Sequence, residues 1–191
     1  MTARLDLLAH GASAATRAAR FPDDEGLEAS AVGAIEALRG KLRPYAQVLT
    51  APARAARETA QALGFNAEVE IALRDCDYGR WRGLASKDVA QRDPDGFAAW
   101  LGDPAAAPHG GESLATLIER IGAWLAQELA REGATLAVTH AAVVRAAIVN
   151  ALGAGSSAFA RIDVAPLSLT RLSGHAGRWN LVALGPLGGL T

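Results

Sequence analysis

Short apolar runs and longer segments with helical spacing alternate along this chain. Four short, largely apolar runs predict buried β-strands. They are residues 4–9, 47–50, 69–73 and 135–139. Four longer segments predict α-helices, because apolar residues recur every three to four positions or because a glycine closes the segment. They are residues 27–42, 53–63, 114–129 and 141–152.

The C-terminal part carries a different signal. Residues 161–172 and 179–184 flank Gly174-His175-Ala176-Gly177, which predicts a terminal β-hairpin, and residues 185–191 are expected to form a loose tail. The alternation upstream predicts an α/β fold, a three-layer sandwich in which a mostly parallel central sheet has helices on both faces. No repeat or linker divides the sequence. We therefore expect one domain over residues 1–191, with a helical insertion or lid at residues 84–111.

Composition narrows the functional classes. Half of the residues are apolar, and 19 Lys and Arg nearly balance 20 Asp and Glu, which argues against a nucleic-acid partner. The apolar runs are shorter than the ~20 residues of a membrane span, and Asp6 interrupts the N-terminal run, which argues against a membrane partner and a signal peptide. The single cysteine, Cys76, excludes an internal disulfide and a cysteine-based zinc cluster. These features favour a cytoplasmic protein.

Two of the four histidines directly follow predicted strands: His10 after the first strand and His140 after the fourth. Ligands of parallel sheets bind beyond the carboxyl ends of the strands, so we expect both side chains at one edge of the sheet. The small residues Gly11, Ser13 and Ala141 would let a ligand approach the backbone, and the helix that begins near Ala141 offers N–H groups to an anion. The alternative interpretation is that each histidine is a polar residue ending a buried strand.

The other candidate chemistry is weaker. His109 lies in a loop and is expected to be solvated, and His175 lies in the hairpin turn and is expected to be exposed. A metal ion would need His10, His140 and Asp75 to converge, but no close ligand spacing supports such a site, so no metal is predicted. The sequence has no Gly-x-Gly-x-x-Gly, Walker-type or Gly-x-Ser-x-Gly motif, and no cofactor is predicted.

A series of short motifs runs through nearly the whole chain. In chain order they are His10-Gly11, Arg20-Phe21, Pro52 with Thr59-Ala60, Leu73-Arg74-Asp75-Cys76-Asp77-Tyr78-Gly79-Arg80-Trp81-Arg82-Gly83, Gly110-Gly111-Glu112-Ser113, and Val138-Thr139-His140 with Val144-Arg145. Their order and spacing, rather than any one motif, resemble the histidine phosphatase superfamily, also called the phosphoglycerate mutase-like family.

The resemblance implies a two-step phosphoryl transfer. It makes His10 the nucleophile that becomes phosphohistidine, which water then hydrolyses, and His140 a second histidine that helps to hold the phosphoryl oxygens. It makes Asp75 the acid that protonates the leaving oxygen, at a position where the family usually has the longer Glu; Asp77 is the alternative acid. A neutral imidazole is a competent nucleophile, and donors must stabilise charge on the equatorial phosphoryl oxygens.

The resemblance also reveals two departures from the family pattern. The family supplies two arginines to the phosphoryl group, and the corresponding positions here are Ala9 and Ala55. Removing one preorganised donor lowers a rate by about 10²–10³, so two losses lower it by roughly 10⁴ or more unless they are compensated. Arg17, Arg20 and Arg54 are the candidates to replace the missing arginines at the phosphate.

Two functions from different classes follow. The first is a cofactor-independent phosphomonoester hydrolase of reduced activity that acts through His10 on a small phosphorylated molecule. The second is a catalytically degenerate phosphatase fold that binds an anionic or phosphorylated ligand or inorganic phosphate. A hydrolase built on Ser13 lacks an oxyanion motif, and a serine in a loop is usually a turn or cap residue. A mutase needs a firmer hold on its substrate than this sequence provides. The sequence favours the first function and predicts no oligomeric state.

Overall fold

The computed structural model describes residues 3–189, and a six-stranded sheet forms its centre. The strands are β1 (Ala3–Ala9), β2 (Gln47–Thr50), β3 (Glu68–Val69), β4 (Ala134–Thr139), β5 (Ser168–His175) and β6 (Arg178–Pro186). They lie in the order β3-β2-β4-β1-β5-β6. The first four strands in this order are parallel to one another, and β5 is antiparallel to both of its neighbours, β1 and β6. The predicted α/β fold with a mostly parallel sheet and a C-terminal hairpin is confirmed.

Seven α-helices connect the strands within the described residues. They are α1 (Ala14–Arg17), α2 (Ala29–Glu36), α3 (Arg54–Ala62), α4 (Ser86–Arg92), α5 (Pro94–Gly102), α6 (Leu114–Glu128) and α7 (Ala141–Leu152). Ser113 begins α6 by accepting a hydrogen bond from the Thr116 N–H, and Gly153 ends α7 in the left-handed conformation at φ 59°. Across residues 3–189, no helix combines the length and hydropathy that crossing a bilayer requires.

The core lies around β1, which is buried on both faces. Leu5, Leu7 and Leu8 are fully buried, as expected for a central strand that lies between a parallel neighbour, β4, and an antiparallel neighbour, β5. Asp6 is equally buried, and its carboxylate accepts a hydrogen bond from the Tyr45 hydroxyl at 2.8 Å. Arginine side chains from outside the strand pair with the same carboxylate, which offsets the cost of removing its charge from water.

A second, smaller apolar cluster holds residues 84–111 to the body of the fold. Phe21, Trp81 and Val89 are buried together, and the α5 residues Phe97 and Trp100 pack against them. Helices α4 and α5 both lie in this segment, as the sequence predicts, and their aromatic side chains anchor them beside the loop that carries Trp81.

The structure corrects three boundaries. The helix expected to reach residue 42 ends at Glu36, and the chain turns through Gly40 at φ 76°. The strand expected at residues 69–73 leaves the sheet after Val69, because the Glu70 carboxylate accepts the Ala72 N–H and caps a 3₁₀ turn over Ile71–Leu73. The expected loose tail is wrong for residues 185–189, since β6 continues to Pro186 and Leu187 is buried; residues 190–191 lie outside the described part of the chain.

The terminal hairpin also differs in its limits. Its first strand begins at Ser168 rather than at residue 161, because Ser156–Arg161 form a 3₁₀ turn. The turn itself consists of Ala176 and Gly177, both with positive φ (51° and 78°). Two such residues match the right-handed twist of a two-residue hairpin.

Candidate active site

His10 and His140 meet at the carboxyl edge of the sheet. They follow β1 and β4, which are paired in parallel with Ala9 opposite Thr139, and the His10 N–H donates to the Thr139 carbonyl at 2.8 Å. The two ring centroids are 5.0 Å apart, and the rings are inclined at 78°. Backbone pairing between adjacent strands thus brings together two side chains that are distant in sequence.

The backbone around His10 fixes the orientation of its ring. Nδ1 lies 2.8 Å from the Gly11 carbonyl oxygen, a geometry in which Nδ1 carries the proton and Nε2 keeps its lone pair. The Gly11 N–H donates to Thr59 Oγ1 at 3.0 Å, and the Thr59 hydroxyl donates to the Ala55 carbonyl at 2.7 Å. A Cβ at Gly11 would lie 2.7 Å from Ile35 Cδ1, so a larger residue here would have to displace the Ile35 side chain. Gly11 is predicted to let a ligand approach the backbone, but its N–H is already used by Thr59.

His140 is buried, with 5% of its surface exposed. Its Nδ1 lies 3.4 Å from Asp75 Oδ2, and neither ring nitrogen has a hydrogen-bond partner within residues 3–189. Burial lowers the pKa of His140, although the negative charge of Asp75 acts in the opposite direction, so the ring is neutral at pH 7. His140 is also the N-cap of α7 without a side-chain capping bond, so the positive end of that helix lies beside the ring.

Asp75 is held in place by hydrogen bonds from two directions. Its Oδ1 accepts the Cys76 N–H at 2.9 Å, and the Thr139 hydroxyl donates to the Leu73 carbonyl at 2.8 Å, which ties the loop to β4. Arg120 of α6 donates to the Ala72 carbonyl at 2.6 Å and to the Arg74 carbonyl at 3.1 Å. One guanidinium therefore fixes the carbonyls that precede the acid.

A second loop, residues 109–113, locks against the acid-bearing loop. The Glu112 N–H donates to the Asp77 carbonyl at 2.7 Å, and the Arg80 N–H donates to the His109 carbonyl at 3.0 Å. A Cβ on Gly111 would lie 2.0 Å from the Asp77 carbonyl oxygen, so only glycine permits this approach. The Cys76 thiol also donates to the Glu112 carbonyl at 3.2 Å, and burial raises the pKa of that thiol to about 12.

The prediction that His109 is solvated is wrong. Its ring is 2% exposed because Trp81 and Tyr78 cover it, with ring centroids 5.0 Å and 6.0 Å away. Nδ1 accepts the Gly111 N–H at 3.0 Å, and Nε2 is buried without a hydrogen-bond partner in the described structure. Burial lowers the pKa of His109. His175, in contrast, is exposed at the end of β5, as expected.

A cavity of about 450 Å³ opens beside the two histidines. The ionisable residues that line it are His10, His140, Asp24, Glu25, Asp75, Asp77, Cys76, Arg74 and Arg82. Ala55, one of the two positions at which the resemblance leads us to expect arginine, lines it as well. No group of three His, Cys, Asp or Glu side chains in the described part of the chain is arranged to hold a metal ion.

The three arginines proposed as replacements do not line this cavity. Arg17 pairs with Glu28, and Arg54 pairs with Glu58 at 2.7 Å. Arg20 is exposed and forms a backbone bridge with Ala85.

Of the small residues proposed for binding, Ser13 lines the cavity and Ala141 does not. The Ser13 hydroxyl accepts the Thr16 N–H at 3.3 Å and thereby caps α1. Its principal observed role is therefore structural.

The guanidinium groups at the cavity belong instead to Arg74 and Arg82, which the sequence reasoning did not select. Both stand in the motif around Asp75, so their proximity to the predicted acid was a usable signal. Asp24 and Glu25 were missed too; their signal was a run of acidic residues directly after Phe21-Pro22.

The sequence of this chain matches a known protein family and several characterised proteins. The sequence profile of the histidine phosphatase superfamily (branch 1) matches residues 5–186. A bifunctional protein of Mycobacterium tuberculosis is 32% identical over 179 residues, which cover 87% of this chain and 49% of that protein. The chain thus spans about half the length of these relatives. Glucosyl-3-phosphoglycerate phosphatase of Mycobacterium tuberculosis is 28% identical over 201 residues, covering 90% of this chain and 86% of the phosphatase.

Solved structures with a similar fold support the same family assignment. A mycobacterial glucosyl-3-phosphoglycerate phosphatase in complex with VO3 superimposes with a TM-score of 0.83 at 26% identity, covering 96% of this chain and 99% of that one. A mycobacterial hydrolase superimposes with a TM-score of 0.82 at 25% identity, covering 96% and 98%. The chain therefore belongs to the histidine phosphatase superfamily, branch 1.

Proposed function

We propose that this protein is a phosphomonoesterase that forms a phosphohistidine intermediate on His10. The observation that carries the proposal is the pair of rings 5.0 Å apart, with His10 Nδ1 engaged by its own backbone and Nε2 left for attack. The cavity beside the pair and the phosphatases among the relatives support the same reaction class.

In the first step, His10 Nε2 attacks phosphorus and the bond between phosphorus and the leaving oxygen breaks. Asp75, in its protonated form, gives its proton to that oxygen, and the alcohol departs. Neutral His140 has Nδ1 towards Asp75 and can carry its proton on Nε2, which then donates to a phosphoryl oxygen. The N-terminus of α7 adds positive charge on the same side.

In the second step, water attacks the phosphorus of phosphohistidine. The Asp75 carboxylate takes a proton from that water, the N–P bond breaks, and inorganic phosphate leaves. His10 and Asp75 return to their starting protonation states. No cofactor enters this cycle.

We further propose that turnover is weaker than in family members that carry both arginines. Ala9 and Ala55 offer no donor, and Arg74 and Arg82 are the guanidinium groups that border the cavity. Arg74 already contacts Glu112 at 3.3 Å and Arg82 contacts Asp23 at 3.3 Å, so each must share its charge with a carboxylate. This arrangement also motivates the second candidate function, a binding protein for a phosphorylated ligand.

The test is hydrolysis of 4-nitrophenyl phosphate by the wild type, by His10→Ala and by His175→Ala. The His175 variant is a matched control because that histidine is exposed and lies at the opposite edge of the sheet, where Gly174 pairs with Ala3 at the start of β1. We expect turnover in the wild type and the control, loss of turnover in His10→Ala, and a gain of one phosphoryl mass on His10 after an alkaline denaturing quench, which preserves the acid-labile N–P bond. Equal turnover in all three would overturn the proposal. Vanadate binding without His10-dependent turnover would favour the binding protein.

A further inference from the structure

The cavity beside the histidines carries more negative than positive side chains. Its lining includes four carboxylates but only two guanidinium groups within the described structure. This is an unexpected balance for a pocket that binds a phosphate dianion, because like charges disfavour the bound state.

The four carboxylates are also poorly neutralised. Within residues 3–189, none of them forms an ion pair with a lysine or arginine. Each instead accepts one backbone N–H: Asp24 from Arg54 at 2.7 Å, Glu25 from Asp23 at 2.9 Å, Asp75 from Cys76 at 2.9 Å and Asp77 from Gly79 at 2.9 Å. The cavity arginines pair with Glu112 and Asp23, which do not line the cavity. Even with Asp75 protonated, as the proposed first step requires, three carboxylates face two guanidinium groups, so the described lining keeps an excess of negative charge.

The lining has a buried part at His140, here called the floor, and a more exposed part at Asp24, Glu25 and Asp77, here called the rim. His140 is buried, and both of its nitrogens lack hydrogen-bond partners in the described chain, so a buried polar side chain of the lining still requires a partner. Asp24 and Asp77 are exposed and Glu25 is half-buried. The floor thus suits the phosphoryl group, and the carboxylate rim suits a positive group that follows it.

We propose that the substrate is a phosphomonoester whose leaving group carries a cationic centre, either an ammonium or a quaternary ammonium. This inference rests on the proposed function and names the class of its substrate. The phosphoryl group binds at His10 and His140, and the cation lies among Asp24, Glu25 and Asp77. The cationic centre offsets the negative charge of the rim, whereas substrates with further anionic groups are repelled by it.

Matched substrate pairs test this directly at low ionic strength, where screening is weakest. Phosphoethanolamine is compared with 2-hydroxyethyl phosphate, and phosphocholine with 3,3-dimethylbutyl phosphate; the members of each pair have similar shape and differ in the cation. We expect kcat/KM at least tenfold higher for the cationic member of each pair. The preference should fall towards unity in the double variant Asp24→Asn, Asp77→Asn, which keeps the side-chain oxygens that accept the backbone N–H groups. Asp103→Asn, a surface carboxylate outside the cavity, should retain it.

A binding measurement separates this inference from the proposed function. Calorimetric titration of the same pairs is expected to give a Kd at least tenfold lower for the cationic member, whether or not the protein turns it over. Equal affinities and equal kcat/KM values within each pair overturn the cationic class while leaving His10-dependent hydrolysis of 4-nitrophenyl phosphate intact. A preference that survives unchanged in the Asp24, Asp77 double variant also overturns it. Absence of all turnover with a retained binding preference overturns the hydrolase and supports the ligand class.

Discussion

Arg120 and Glu112 form a two-point ion pair beneath the loop that carries Asp75. Nε and Nη2 of Arg120 lie 2.8 Å and 2.6 Å from the two carboxylate oxygens of Glu112, and both side chains are largely buried, at 12% and 5% exposure. Because Arg120 also holds the carbonyls of the acid-bearing loop, the pair connects the stability of the fold to the position of the acid.

Replacing Arg120 with Met is expected to cost about 3–5 kcal/mol of unfolding free energy, because it leaves the Glu112 carboxylate buried with only the more distant Arg74. Urea unfolding measures this. Arg17→Ala is the control, since its pair with Glu28 is exposed and such pairs contribute about 0–1 kcal/mol. Similar small losses in both variants would contradict the structural role given to Arg120.

Gly111→Ala is expected to destabilise the protein by about 1–3 kcal/mol and to lower kcat, because the added Cβ collides with the Asp77 carbonyl and separates the two interlocked loops. Gly33→Ala provides the matched control: this helical glycine has nothing within 4 Å of an added Cβ, and alanine there is expected to stabilise by up to ~1 kcal/mol. Thermal unfolding and aryl phosphate kinetics on both variants check the contrast. An unchanged kcat in Gly111→Ala would contradict the prediction that contact between the two loops is needed for catalysis.

The protein is expected to lose stability as the pH falls below about 6.5, the ordinary pKa of histidine. Burial lowers the folded-state pKa of both His109 and His140, so the unfolded chain binds more protons than the folded one in this range, and stability rises with pH. Protonation of His109 would also remove the acceptor of the Gly111 N–H.

Urea unfolding between about pH 5.5 and 7 measures that slope. His109→Gln should flatten it in part, because it removes one of the two groups. Glu128, whose pKa burial raises, acts with the opposite sign at the acidic end, but it is common to both proteins and cancels in the comparison. Identical slopes in the wild type and the variant would exclude His109 as a source of the dependence.

Arg74→Ala and Arg82→Ala are each expected to lower kcat/KM for 4-nitrophenyl phosphate by about 10²–10³, the usual effect of removing one donor to a developing oxyanion. Arg54→Ala should change it little, because Arg54 pairs with Glu58 and does not line the cavity. Steady-state measurement of kcat/KM for the three variants tests this difference. A large loss confined to Arg54→Ala would reverse the assignment.

Sequence periodicity predicted the elements that are defined by local signals. The limits of α7 match residues 141–152 because His140 follows a buried strand and Gly153 stops the helix in a conformation that glycine favours. The third strand was overestimated, because the side-chain cap of Glu70 on a 3₁₀ turn leaves no mark in the apolar pattern.

The site was predictable where it depends on strand order and not where it depends on loops. His10 and His140 follow strands whose parallel pairing brings their ends together. Arg54, in contrast, is adjacent in sequence to the cavity residue Ala55, but neighbouring helical residues point about 100° apart, so Arg54 is 62% exposed and Ala55 is buried. Arg74 and Arg82 occupy an irregular loop, where sequence spacing does not give direction.

The in-register pairing of β1 with β4 supports His10 in a different way from the loop that carries Asp24. The ends of both strands are joined by backbone hydrogen bonds up to His10 itself, whereas Asp24 lies on an exposed loop and its carboxylate contacts α3 by accepting the Arg54 N–H. Local opening of the loop that carries Asp24 would therefore leave the backbone around His10, the proposed nucleophile, in place.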